Sequence, residues 1–187
     1  MMKSFVSVIA FLFMFNQVKA QDLPYYEIPE SSENYSAGAV ASRMIDGLGF
    51  RFYWASEGLT EKDLQFKPTS KSRSSRETID HILGLSQVIL NAAENRPNGA
   101  KQLELSFAEK RVKILNNLKK ASDILKIQTD LAEFKIIFGD KAYPFWNAIN
   151  GPIADALWHC GQIVSFRRSS GNPFPKGVSV FTGKLRK

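Results

Sequence analysis

The sequence predicts an all-α fold: a four-helix bundle with an extended N-terminal arm and a C-terminal strap. Three observations carry this. Four long segments repeat apolar residues at steps of three and four, the period of a helix buried on one side. Two of them open on a Ser-x-x-Glu capping box, which satisfies free amides at a helix start. No convincing set of alternating strands competes with them. The chain has 187 residues and 44% hydrophobic content. That suits one domain with a full core and shows neither a solenoid repeat nor a second domain.

Residues 1–20 read as a secretory signal. Lys3 supplies a positive start, Phe5 to Phe15 is an apolar run too short to span a bilayer, and Val18-Lys19-Ala20 resembles a small-x-small cleavage site. The expectation is an exported protein, periplasmic or secreted, with no membrane span after cleavage. An uncleaved N-terminal anchor is the alternative. Without Lys3 and Lys19 the formal charge falls from +7 to +5. The remaining cations are scattered and no nucleic-acid motif is recognisable, so no nucleic-acid partner is expected. Cys160 is the single cysteine, so no intramolecular disulfide can form and the fold must stand on its core.

Residues 21–35 hold two prolines, several acids and no periodicity, and read as an arm pinned by Tyr25, Tyr26 and Ile28. The bundle should occupy 36–187. A first helix is expected over Ser36 to Gly58 on Met44, Ile45, Leu48 and Phe52. Gly47 and Gly49 weaken it by roughly 1 kcal/mol each relative to Ala, unless they admit a neighbouring helix. Leu59 to Pro68 reads as a loop. Ser74 and Glu77 cap a second helix with a stripe of Ile79, Ile82, Leu83, Ser86 and Ile89 or Leu90, and Asn95 to Gly99 stops it. Ser106 and Glu109 cap a third helix on Phe107, Ile114, Leu118, Ala121 and Leu125. Residues 134–138 fit either a short strand or a helical continuation, broken by Gly139-Asp140.

The last helix should start near Pro144, a residue tolerated in a first turn. Gly151-Pro152 threatens a kink, because an interior proline removes a hydrogen bond and clashes with the preceding turn. Gly171-Asn172-Pro173 stops it. Val178 to Phe181 reads as the extended strap.

The whole histidine supply is His81 and His159, one on the second helix and one on the last. Asp155 and His159, at i and i+4, share a helix face. Two histidines and one carboxylate from two helices can bind a divalent ion and leave positions open for water or substrate. The same residues also fit a polar patch with no ligand. One feature opposes the metal reading. The apolar stripe of the last helix (Trp146, Ile149, Ile153, Leu157, Cys160, Val164) lies roughly 150° around from the Asp155–His159 face at 100° per residue. Either the helix is buried on two sides or the pair looks at solvent. Cys160 fits a small buried hydrophobe better than a ligand. Gln162 could orient His159 or simply pack. Arg167 and Arg168 suit the negative end of the helix dipole.

The stretch Asp155-Ala156-Leu157-Trp158-His159-Cys160-Gly161-Gln162-Ile163 resembles the H-x-x-x-H-R-G-Q-I signature in the last helix of DinB-like proteins. Asp80-His81 is similar to that family's earlier ligand histidine, and the order of segments over about residues 36–170 agrees. The resemblance implies a four-helix bundle, often dimeric, with a metal held by one histidine of the second helix and two of the last. Carried over by position, these are His81, Asp155 and His159. Asp155 departs from the pattern, as a harder ligand or as the mark of a degenerate site. The resemblance implies a divalent metal cofactor (Zn, Ni, Fe or Mn) and a metal-dependent transferase or hydrolase acting on a small molecule. Some members join low-molecular-weight thiols to electrophiles, a chemistry in tension with export. The competing reading is a non-catalytic exported bundle that binds a partner or small ligand.

Overall fold

A computed structural model of the chain describes residues 23–99 and 104–186. The signal-like segment lies outside the described residues. The chain is mainly helical. Helix α1 spans Ala37–Ser56, α2 Glu61–Gln65, α3 Ser75–Ala93, α4 Phe107–Lys126, α5 Trp146–Ala148 and α6 Ala154–Ser170. The four long helices make a closed circuit of packing, α1 on α4, α4 on α3, α3 on α6 and α6 on α1. Inside it lie Ile45, Leu48 and Phe52 of α1, Ile79 and Ile82 of α3, Ile114 and Leu118 of α4, and Ile163 of α6, all essentially without solvent contact. Each such side chain contributes about 1.5–3 kcal/mol through burial.

The starts of α1, α3 and α4 follow the sequence closely. Ser74 and Ser106 cap α3 and α4, each accepting from the amide of the Glu three residues on, while that Glu accepts from the serine amide. Ser36 caps α1 and also donates through Oγ to the Gln128 carbonyl at 2.9 Å, tying the start of α1 to the end of α4. The two helices run so close there that a Cβ on Gly38 would lie 2.2 Å from the Leu125 carbonyl oxygen.

Several expectations are corrected. The 59–68 loop contains α2, one turn capped by Thr60 and Asp63. Short strands are present: β1 (Pro97–Asn98) runs parallel to β2 (Lys135–Phe138), which pairs antiparallel with β3 (Lys141–Pro144). Gly139, at φ 58°, turns the β2–β3 hairpin. Pro144 therefore ends a strand rather than starting a helix. The strap is a second hairpin, β4 (Val178–Ser179) with β5 (Lys184–Leu185). Gly49 admits no helix. A Cβ there would stand 2.4 Å from the Tyr25 ring, so it receives the N-terminal arm instead. Tyr25 is buried, Tyr26 packs on Tyr53 and Trp54, and Ile28 donates its amide to the Gly183 carbonyl.

The kink at Gly151-Pro152 is real. Ile149–Ile153 forms a wide π-type turn between α5 and α6, and Gly151 leaves helical geometry at φ −93°, ψ −109°. A π-bulge and an interior proline are two established causes of helix breaks. Because of the break, Trp146 does not continue the buried stripe of α6 and is 75% exposed.

The interior holds two polar knots. Asp46 accepts from Tyr25 Oη (3.1 Å) and Ser122 Oγ (2.6 Å), and Ser42 meets Ser122. Burial outweighs those bonds and raises the Asp46 carboxyl above its usual range. Asp63 is also buried, and burial opposes its ionisation. Hydrogen bonds from Asn172, Ser170 and Thr60 together overcome that and hold its carboxyl well below the usual range. Arg167 completes the second knot by donating to the Trp54 and Ala55 carbonyls at the end of α1.

Candidate metal centre

Helix α6 presents its site because of what it buries. Ala156, His159, Cys160, Ile163, Arg167 and Ser170 are the buried residues, and they span about 100° of the helix circumference. That face is centred about 80° from the stripe that apolar residues alone suggest. Arg167 and Ser170, polar in any hydrophobicity reading, belong to the buried face, while Trp158 is 72% exposed. His159 sits at one edge of the buried face and Asp155 about 40° beyond it. The apparent conflict between stripe and pair disappears, since the pair lies at the seam where α6 meets α3.

Across that seam stands His81 of α3. Its Nε2 lies 3.0 Å from Asp155 Oδ2, and His159 Nε2 lies 3.2 Å from Asp155 Oδ1. The imidazoles are edge to face, with ring centres 4.7 Å apart and planes at 88°. One ligand atom from each of the three residues falls within 4.8 Å of the others, a cluster that could hold a metal ion. His159 is buried, whereas His81 and Asp155 keep partial contact with solvent. The centre is anchored in the core and open on one side.

Gln162 fixes the chemistry of His159. His159 Nδ1 donates to Gln162 Oε1 at 2.7 Å, and a carbonyl oxygen can only accept. In the neutral ring, Nε2 then keeps its lone pair and faces a carboxylate oxygen that is also an acceptor. Only a cation or a proton between the two satisfies both. The donor set meets the requirements of a divalent ion: two imidazole nitrogens, one carboxylate, and a hydrogen bond that orients a ligand ring. The residues present therefore fit a metal.

All three candidate ligands foreseen from the sequence are brought together, and Gln162 is the hydrogen-bond partner of His159. Cys160 points into the core. Burial pushes its thiol up to about 12, which suits a small buried hydrophobe better than a ligand or nucleophile. What the sequence did not reveal is the groove beside the cluster. It has a volume of about 740 Å³ and shares His81 with the centre. It lies where α3, α4 and the β1–β2 pair converge. Its floor depends on strands two and four residues long, which carry almost no periodic signal.

Comparison with protein-family models, with curated proteins and with solved structures finds no match to this chain. Among the described residues, no helix is long and apolar enough to cross a membrane.

Proposed function

We propose that this chain is an exported metal-binding four-helix bundle of the DinB-like kind, in which His81, Asp155 and His159 hold one divalent ion and Gln162 orients His159. One observation carries the reading. A single carboxylate is reached by Nε2 of both histidines of the chain, and the far nitrogen of one is already committed to Gln162. Support for the family assignment comes from the α6 motif and the helix order. Support for export comes from the character of residues 1–20.

When bound, the ion supplies Lewis acidity that makes a water or a thiol nucleophilic near neutral pH. The protein's own residues do the rest. His81, His159 and Asp155 would hold the ion, with the Nε2 atoms of both histidines already turned toward the Asp155 carboxylate. Three protein ligands leave coordination positions for a small molecule, as catalytic rather than structural sites do. A metal-dependent transferase or hydrolase is the activity that fits best. Metal content of the untagged protein, measured with Asp155→Ala alongside, tests the centre.

A further inference from the structure

The groove next to the cluster has a sign of charge and a built floor. Among the described residues Asp80 is the only carboxylate lining it, and Lys110 neutralises it at 2.5 Å. Arg96 lines the groove as well. Its partner Glu94 is shared with Lys120, so that cluster carries one positive charge in excess. Lys113, half-buried one turn along α4 from Lys110, has no carboxylate partner among the described residues. The balance of the lining is positive, before any ion at His81 adds to it.

The polar floor is preorganised. Gln87 donates to Asn91 (2.9 Å), Asn91 to Asn98 (2.9 Å), and Asn98 to the Ile137 carbonyl (3.0 Å). Each amide is held by the next, and the row is pinned to β2. Leu85, Val88 and Phe138 provide an apolar wall. A concave site of this size with an apolar wall and a few oriented polar groups is what small-molecule recognition requires.

We infer that this groove binds a small organic anion, setting a carboxylate or phosphate against Lys113 and an apolar body against Leu85, Val88 and Phe138. Its role as substrate of the adjacent centre rests on the metal reading above; its binding does not. The probe is phenylpropionate, with its neutral amide as control, titrated into metal-free and zinc-loaded protein and followed by backbone amide NMR shifts. The acid is expected to move the amides of Gln87, Asn91, Asn98 and Lys113. Lys113→Gln should weaken it about tenfold, as loss of a charge-assisted contact does, and Lys119→Gln on the outer face should not. The neutral amide should bind about as weakly to wild type as the acid binds to the variant. Equal binding of acid and amide, undiminished binding to Lys113→Gln, or no shift at the groove would overturn the inference. Lys113-dependent binding with no zinc response at His81 sustains the inference and sinks the metal reading. A zinc response with no anion shift does the reverse.

Discussion

Replacing Gln162 by leucine isolates its hydrogen bond to His159 without touching a proposed ligand. Leucine is close in volume and lacks the acceptor, so His159 Nδ1 loses its 2.7 Å partner and the ring is free to turn. Loss of such an orienting partner typically weakens metal affinity 10- to 100-fold. If the site binds zinc as proposed, zinc added at 100 times the wild-type Kd should stabilise the protein by about 2.7 kcal/mol. For a chain of this size that is a rise in Tm of roughly 5–11 °C. With affinity tenfold weaker, the same zinc gives about 1.4 kcal/mol, a rise of roughly 3–6 °C. A hundredfold weakening leaves almost no rise. The assay is a thermal melt of each protein with and without zinc, so that any change in the metal-free variant is subtracted. An unchanged zinc-induced rise in Gln162→Leu would refute the orienting role. The same result in Asp155→Ala would refute the site.

Two further predictions concern the arm and the buried knot beneath it. Gly49→Ala places a Cβ 2.4 Å from the Tyr25 ring, in a left-handed arm residue (φ 76°) already under constraint. It should cost about 2–4 kcal/mol in urea unfolding, near the cost of emptying a large buried site, and add little to Tyr25→Ala; full additivity would show that the arm docks elsewhere. Asp46→Asn keeps an acceptor for Tyr25 and Ser122 but removes a charge that burial disfavours. Because the folded-state pKa of Asp46 is raised, the folded protein binds more protons than the unfolded one just above pH 3.8. Its stabilising contribution is thus full below that value and lost as pH rises through the folded pKa. The stability of Asp46→Asn relative to wild type should therefore climb over that window, and a flat difference would rule this out.

The serine-capped starts of α1, α3 and α4 were the most legible part of the chain, whereas α2 and the start of the last helix were not. Ser36, Ser74 and Ser106 act through local bonds spanning three residues, and a sequence displays those directly. The His81–Asp155–His159 cluster was legible for a similar reason: Asp155 and His159 are one turn apart, and only one other histidine exists to join them. Long-range contacts were not legible. Gly49 read as a weak point of α1 or a place for a neighbouring helix, yet its partner is Tyr25, brought in by the arm's left-handed turn. The α6 stripe was misplaced because Arg167 and Ser170 are buried through hydrogen bonds to α1 and Asp63, which hydrophobicity cannot register. The strands β1 and β4 are two residues long, below the length at which alternation can be seen. The groove that β1 helps to build with β2 was hidden with it.

Elemental analysis of untagged protein, with Asp155→Ala purified in parallel, tests the metal centre most directly. Close to one equivalent of divalent metal per chain in wild type, lost in the variant, is the expected result. Metal-free wild-type protein whose melting does not respond to zinc, nickel or manganese would contradict it.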